Sequence, residues 1–134
     1  MPKTIPKKIL IVEDNPQNLR VIQLSLKGQG YILREATDGK QALMIALRER
    51  PDLIIMDIQL PRMSGLEVTT RLRARPNFNN VPIVAVTAYA MKGDREKAIS
   101  IGFDAYLTKP ISPRELSSLV AEMLMKKREA DTSP

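Results

Sequence analysis

Cysteine and histidine are both missing from this chain of 134 residues. Without cysteine the protein has neither disulfide bonds nor thiolate metal sites, and without histidine it lacks the commonest general base and metal ligand. Aromatic residues make up only 4% of the chain, and no apolar run approaches the length of a membrane-spanning helix. Chemistry here must therefore use carboxylates, hydroxyls and lysines. With no signal peptide and no membrane insertion indicated, we expect a cytoplasmic protein.

The net charge is +6, from 21 basic and 15 acidic residues. The basic residues are scattered along the chain, and no zinc-finger or RNA-recognition motif accompanies them. This distribution is typical of solvated faces and helix ends, so we expect no direct binding to nucleic acid.

Five short apolar runs predict five strands, separated by segments with helix signals. The runs are residues 8–12, 31–36, 52–56, 82–87 and 105–108. The first, third and fourth are continuously apolar, which is typical of parallel strands covered on both faces. Helix starts are indicated by the N-cap residues Asn15, Asp38, Ser64 and Ser112, and a further helix fits residues 91–102. This alternation predicts one doubly wound α/β domain with a five-stranded parallel sheet.

The domain is predicted to span residues 8–125, where the helical pattern of the last helix ends. Residues 1–7 are interpreted as an N-terminal extension and residues 126–134 as a frayed C-terminal tail. The initiator methionine favours a natural start, and no output domain is expected after the last helix.

Polar residues follow the predicted strands at the edge where such sheets bind ligands. With the strand order 2-1-3-4-5, strands one and three are neighbours where the winding direction reverses. Glu13, Asp14 and Asp57 would then converge, Thr87 would close strand four, and Lys109 would follow strand five. Three carboxylates packed together repel one another unless a cation joins them, and oxygen ligands alone favour Mg²⁺ or a similar hard ion.

A magnesium site with a reachable aspartate suggests phosphoryl chemistry. Mg²⁺ usually keeps coordination positions for phosphate oxygens, and an aspartate can act as the nucleophile that forms an acyl phosphate. Such a transfer needs positioning and charge neutralisation more than acid–base catalysis. Lys109 and Thr87 would contact the phosphoryl oxygens. Asp57 is expected to be exposed, because a phosphoryl donor has to reach it.

Four segments together resemble the response-regulator receiver domain of two-component signalling: ILIVEDN, DLIIMDIQLPRMSG, VTAYA and AYLTKPI. They occur in the order and spacing of that family and cover nearly the whole chain. The resemblance implies the flavodoxin-like (βα)₅ fold and Asp57 as the phosphoacceptor. It also implies that Asp14, Asp57 and the backbone carbonyl of Gln59 bind Mg²⁺, while Glu13 acts mainly through water.

The resemblance further implies how phosphorylation changes the protein. Thr87 would move to hydrogen-bond the phosphoryl group, Lys109 would pair with it, and Tyr106 would turn inward as Thr87 moves. The bond between Lys109 and Pro110 is usually cis in the family.

The implied function is a signalling switch that assists its own phosphorylation and dephosphorylation. The donor would be a sensor histidine kinase or a phosphotransfer protein. The output would be protein contact through the face of helix four, strand five and helix five, a phosphorylation-dependent homodimer, or onward phosphotransfer. The run TAYAMKGDREKA also resembles single-domain regulators and the receiver modules of hybrid kinases.

Two alternatives belong to other functional classes. A phosphatase of the haloacid-dehalogenase type would need a second acid two residues after its nucleophile, where this chain has Gln59. A phosphorylation-independent adaptor of the same fold would not need the intact acidic and lysine residues. Under the receiver interpretation, Gln59 and Tyr89 are predicted to influence how fast water hydrolyses the acyl phosphate.

Overall fold

Five parallel strands form one sheet at the centre of the protein. The computed structural model describes residues 5–88 and 93–132, with side chains as far as residue 126. The strands are β1 (Lys8–Val12), β2 (Ile32–Ala36), β3 (Leu53–Asp57), β4 (Ile83–Thr87) and β5 (Ala105–Thr108). They lie side by side in the order β2-β1-β3-β4-β5 and are all parallel. The predicted fold class and strand order are therefore confirmed.

Five helices connect and cover the strands. They are α1 (Pro16–Leu26), α2 (Gly39–Glu49), α3 (Gly65–Arg73), α4 (Asp94–Ile101) and α5 (Pro113–Thr132), with a short 3₁₀ helix at Pro76–Phe78. The predicted N-caps are present, since each cap side chain accepts a hydrogen bond from the amide three residues later. Among the described residues, no helix combines the length and the hydropathy that crossing a bilayer requires.

Two helix boundaries differ from the sequence prediction. Helix α4 begins at Asp94 after Gly93 in the left-handed conformation, while residues 91 and 92 of the predicted helix lie outside the described residues. Helix α5 continues to Thr132 instead of ending near residue 125. The apolar periodicity ends there, but residues 126–130 are lysines, arginine, glutamate and alanine, which are strong helix formers without a stop signal.

The hydrophobic core has two halves, one on each face of the sheet. Alternate residues of β1 point to opposite faces, so that Leu10 packs with α2, α3 and α4 while Ile11 packs with α1 and α5. All five residues of β3 and of β4 are buried, as expected for central parallel strands. This packing fixes the carboxyl ends of β1, β3 and β4 relative to one another, which positions the loops described below.

Arg73 joins three segments of the chain at the end of helix α3. Its guanidinium donates hydrogen bonds to the carbonyls of Phe78 and Val81 at 2.6 and 2.8 Å, and to the carbonyl of Gly102 at 2.9 Å. A fourth bond of 2.7 Å reaches Asp104, whose carboxylate also accepts a 2.8 Å bond from the amide of Ile83. Since the guanidinium is largely buried, it satisfies carbonyls that would otherwise lack partners.

Replacing Arg73 by alanine is expected to lower the free energy of unfolding by about 2–4 kcal/mol, because several carbonyls and Asp104 lose a charged donor. The matched control is Arg71→Ala, which removes an exposed ion pair with Glu67 and should cost roughly 0.5 kcal/mol or less. Urea unfolding followed by circular dichroism measures both values. Equal losses in the two variants would contradict the role assigned to Arg73.

Candidate functional site

Three acidic side chains meet at the carboxyl ends of β1 and β3. Glu13, Asp14 and Asp57 each offer one carboxylate oxygen, and these oxygens lie within 4.8 Å of one another. The loop after β1 is held in place by the amide of Glu13, which donates a 3.0 Å hydrogen bond to the carbonyl of Ala36 at the end of β2. The structure thus brings together the three acids that the strand order predicted to converge.

The burial of these acids differs from the prediction. Asp57 is the last residue of β3 and is only 3% exposed, and Glu13 is 1% exposed. The expectation of an exposed Asp57 is therefore wrong, because this central strand lies between β1 and β4 while a lysine covers the carboxylate. Only Asp14 of the three is exposed.

Lys109 reaches the two buried acids from the loop after β5. Its ammonium donates hydrogen bonds to Asp57 at 3.0 Å and to Glu13 at 3.2 Å. Burial alone lowers the pKa of Lys109, but these hydrogen bonds and the two negative charges raise that pKa above its ordinary value. The lysine is therefore charged at neutral pH. Its backbone is anchored by a 2.8 Å bond from its amide to the carbonyl of Thr87, and the Lys109–Pro110 bond is cis, as the resemblance implies.

Glu13 has the most strongly perturbed carboxyl group in the cluster. Burial raises its pKa from 4.5 to about 7, and the hydrogen bond from Lys109 and the charge of Asp57 act in opposite directions on it. One of its oxygens accepts a 3.2 Å bond from the amide of Asn15. The other oxygen is buried and has no aligned hydrogen-bond donor among the described residues, although the Lys109 ammonium lies 3.0 Å away.

This donor set fits a hard divalent cation. The three carboxylates offer only oxygen atoms, and when all three are ionised their charge exceeds that of the one lysine. Mg²⁺ prefers oxygen ligands, and a buried carboxylate oxygen without an aligned donor is a group that such an ion or its water would satisfy. Asp14, Asp57 and Glu13 are therefore suited to hold the metal.

Thr87 and Tyr106 lie on the other side of Asp57, around a cavity of about 200 Å³. The cavity is also lined by Gln59 and by Asp94 and Lys97 of α4. Tyr106 is 9% exposed, and its buried hydroxyl has no hydrogen-bond partner among the described residues. Burial, and then the charge of Asp94, raise the pKa of Tyr106. The ring thus already points inward.

Gln59 contacts the acid cluster through its backbone. Its amide donates a 3.0 Å hydrogen bond to one carboxylate oxygen of Asp57. The role of its carbonyl as a metal ligand remains a prediction. Tyr89, which was predicted to influence hydrolysis together with Gln59, lies outside the described residues.

Gly65 positions the loop that follows Asp57, a role that the sequence analysis did not predict. It is the first residue of α3 and is buried. Its amide donates a 2.9 Å hydrogen bond to the carbonyl of Ile58. A methyl group at this position would lie 2.4 Å from the carbonyl oxygen of Asp57. Only glycine allows α3 to approach the strand end so closely.

Replacing Gly65 by alanine is expected to push the loop after β3 away from its position. The overpacking should lower the free energy of unfolding by about 1–3 kcal/mol, and it should shift the NMR signals of the Gln59 amide that reports on Asp57. The control Glu67→Ala changes an exposed residue of the same helix. An unshifted Gln59 signal in Gly65→Ala would contradict the positioning role.

Known proteins show the same sequence pattern and fold. The family model described as response regulator receiver domain matches residues 9–121. The polar-differentiation response regulator DivK of Brucella anthropi is 45% identical over 116 residues, which covers 86% of this chain and 94% of DivK. Among solved structures, the receiver domain of sensor histidine kinase PA1611 from Pseudomonas aeruginosa has a TM-score of 0.82 at 40% identity. The alignment covers 90% of this chain and 99% of that one, whose structure is described with a magnesium ion coordinated in the active site cleft.

The chemotaxis response regulator CheY4 of Vibrio cholerae has the same fold, with a TM-score of 0.82 at 27% identity over 89% of this chain and 99% of CheY4. The family match spans most of the chain, and it includes the acid, threonine and lysine positions that the sheet brings together. The chain therefore belongs to the response regulator receiver domain family.

Proposed function

We propose that this receiver domain is a phosphorylation-controlled switch whose phosphoacceptor is Asp57. The observation that carries the proposal is the placement of the Asp57 carboxylate between two acids suited to a metal ion and the ammonium of Lys109. Asp57 is the last residue of the central strand β3, and its carboxylate accepts hydrogen bonds from the ammonium of Lys109 and from the amide of Gln59. One contact falls on each carboxylate oxygen, so together they fix the orientation of the carboxylate.

In the proposed step, a carboxylate oxygen of Asp57 attacks the phosphorus atom and forms the acyl phosphate bond. The bond from phosphorus to the donor breaks, and its electron pair leaves with the donor's imidazole or carboxylate. Bound Mg²⁺ would supply neutralising charge for the phosphoryl oxygens. Lys109 then exchanges its bond to Asp57 for a bond to a phosphoryl oxygen, and the hydroxyl of Thr87 donates to another. The chain contains no histidine, so the donor is a histidine kinase, a phosphotransfer protein or a small acyl phosphate.

The response is transmitted through Thr87 and Tyr106 to helix α4. In this helix only Ala98 is fully buried, so moving it exposes little apolar surface. Tyr106 links the cavity beside Thr87 to a second cavity of about 360 Å³ on the face formed by α4, β5 and α5. This face, with exposed Ile99 nearby, is the proposed contact surface for a downstream protein or for a second phosphorylated copy.

The proposal is tested by incubating the protein with acetyl phosphate and Mg²⁺ and measuring its intact mass over time. A phosphoryl adduct that persists for longer than the mixing time supports the switch. Rapid release of inorganic phosphate without an adduct would favour the phosphatase alternative. Absence of both adduct and turnover, with acetyl phosphate and with a phosphorylated phosphotransfer protein, would favour the adaptor.

The effect of Mg²⁺ on stability is expected to depend on pH through Glu13. Because its pKa is raised from 4.5 to about 7 in the metal-free fold, ionising it costs the folded state more than the unfolded chain. The stability that the protonated Glu13 contributes to the fold is thus fully present below the pKa of the unfolded chain, 4.5, and is lost as the pH rises through about 7. Mg²⁺ opposes this loss, so the gain in melting temperature on adding Mg²⁺ should grow between about pH 6 and pH 8.

Thermal unfolding with and without Mg²⁺ over this range measures the effect. The control Glu13→Gln should show a much flatter dependence, because the amide has no proton to lose. A gain that is independent of pH in the unmodified protein would contradict the assignment of the raised pKa to Glu13.

A further inference from the structure

The open edge of the sheet at β2 lies beside a cavity on the surface of the protein. This cavity of about 380 Å³ lies between α1 and β2 and is lined by Leu24, Tyr31 and Leu33, with Arg20 and Lys27 at its rim. Leu24 is 54% exposed although it is a large apolar residue. None of the residues that line this cavity belongs to the phosphoryl site described above.

The backbone of β2 is paired on one side only. The amide of Ile32 bonds to the carbonyl of Lys7 at 2.9 Å, and the carbonyl of Ala36 accepts from Glu13 at 3.0 Å, so these residues face β1. Because backbone groups alternate along a strand, those of Leu33 and Glu35 point outward. Among the described residues no strand pairs with this edge. In the part of the chain that the structure describes, the one hydrogen bond to the carbonyl of Leu33 comes from the guanidinium of Arg34 at 3.3 Å.

The charges at the groove favour an acidic occupant. Within the described residues, no carboxylate lies within ion-pair distance of Arg20 or Lys27. The one acid on this face of β2, Glu35, contacts the side-chain amide of Gln23. Arg20 and Lys27 are two helical turns apart, about 10.5 Å along the axis. In an extended segment bound along the groove, two side chains four residues apart would be about 13 Å apart and would point to the same face. Such a pair of side chains can therefore reach both cations.

We propose that the groove between α1 and β2 binds an extended segment of a partner protein, which adds a sixth strand beside β2. The segment carries an apolar side chain that fills the cavity, and acidic residues two positions before and after it that pair with Arg20 and Lys27. Backbone hydrogen bonds to Leu33 and Glu35 hold the strand, while the cavity and the two cations select its sequence.

The other occupants of such a groove satisfy fewer of its groups. A helix packed against α1 would leave the outward amides of β2 without partners. If two copies of this chain paired through β2, Arg20 and Lys27 of both copies would lie along the same joined edge. No acidic segment would lie between these cations to neutralise them. An extended acidic segment satisfies the amides, the cavity and the cations together.

The probe is a library of ten-residue peptides with one variable apolar residue and glutamate at the second position on either side of it. A matched library carries lysine in place of the glutamates. We expect the acidic library to yield binders and the basic library to yield none. In the presence of the tightest acidic peptide, deuterium exchange should slow at the amides of Leu33 and Glu35.

Variants of the protein separate the parts of the proposal. Glu35→Pro removes one outward amide without breaking the pairing to β1, and it should abolish binding, while the control Glu35→Ala should preserve it. The double variant Arg20→Glu with Lys27→Glu should weaken binding by about tenfold or more. The charge-matched control, Lys40→Glu with Arg75→Glu, alters exposed residues away from the groove and should leave binding unchanged.

Peptides N-methylated at alternate residues test strand addition directly. Methylation of the peptide amides that face β2 should prevent binding, and methylation of the amides that face away should not. Binding that survives Glu35→Pro and every methylation would overturn strand addition. Equal binding of the acidic and basic libraries, or no binding by either, would overturn the proposed partner chemistry. Self-association of the protein that Glu35→Pro abolishes would assign the groove to a second copy and also overturn it.

Discussion

Replacing Asp57 by asparagine is expected to abolish phosphorylation by any donor while leaving the fold intact. The amide has the shape of the carboxylate, and it can keep the hydrogen bond from the backbone amide of Gln59. It lacks the negative oxygen that attacks phosphorus, so no acyl phosphate can form. Intact mass after incubation with acetyl phosphate and Mg²⁺ measures the loss, and circular dichroism monitors the fold.

The matched control is Asp38→Asn. Asp38 caps helix α2 through its side chain, and asparagine is an equally good cap, so this variant should fold and be phosphorylated normally. An adduct in Asp57→Asn equal to that of the unmodified protein would show that another residue accepts the phosphoryl group. Loss of the adduct in Asp38→Asn alone would likewise contradict the assignment.

Replacing Lys109 by alanine is expected to slow phosphorylation by about 10²–10³-fold, the usual effect of removing one preorganised charged donor from a reacting group. Lys109 contacts both buried acids, so its removal also leaves Asp57 and Glu13 without a cation. We expect the variant to keep its affinity for Mg²⁺ or to gain affinity, because the acid cluster becomes more negative. The variant is therefore expected to lose phosphorylation rate without losing Mg²⁺ binding.

Initial rates of adduct formation and Mg²⁺ titrations by calorimetry measure the two effects. Lys109→Arg keeps the charge but changes its geometry, and it should recover part of the rate. Lys40→Ala removes an exposed lysine of α2 and should change neither quantity. Phosphorylation of Lys109→Ala at the rate of the unmodified protein would contradict the proposed contact with the phosphoryl group.

The sheet and the meeting point of the acids could be predicted because the sequence pattern constrains them strongly. Continuous apolar runs indicated which strands are central, and capping residues such as Asn15 and Ser64 indicated where helices begin. The strand order then required Glu13 and Asp57 to converge, since the ends of neighbouring parallel strands lie at one edge. Periodicity and topology were sufficient for this part of the site.

The rest depends on contacts between segments that are distant in sequence. The burial of Asp57 depends in part on Lys109, which follows it by 52 residues and covers its carboxylate. The approach of Gly65 to the carbonyl of Asp57 depends on how α3 packs against the sheet. In the sequence, a glycine that follows a serine is equally typical of a turn. The bonds of Arg73 also join separate segments. No local pattern encodes these distances.

The identity of the phosphoacceptor can be measured directly by reducing the phosphorylated protein with borohydride. This reagent converts an aspartyl phosphate to homoserine, and peptide sequencing by mass spectrometry then locates the modified residue. The site geometry predicts homoserine at position 57 and at no other position, in an amount that depends on Mg²⁺. Homoserine at Asp14 or elsewhere, or its absence from a protein that carries the phosphoryl adduct, would contradict the proposal.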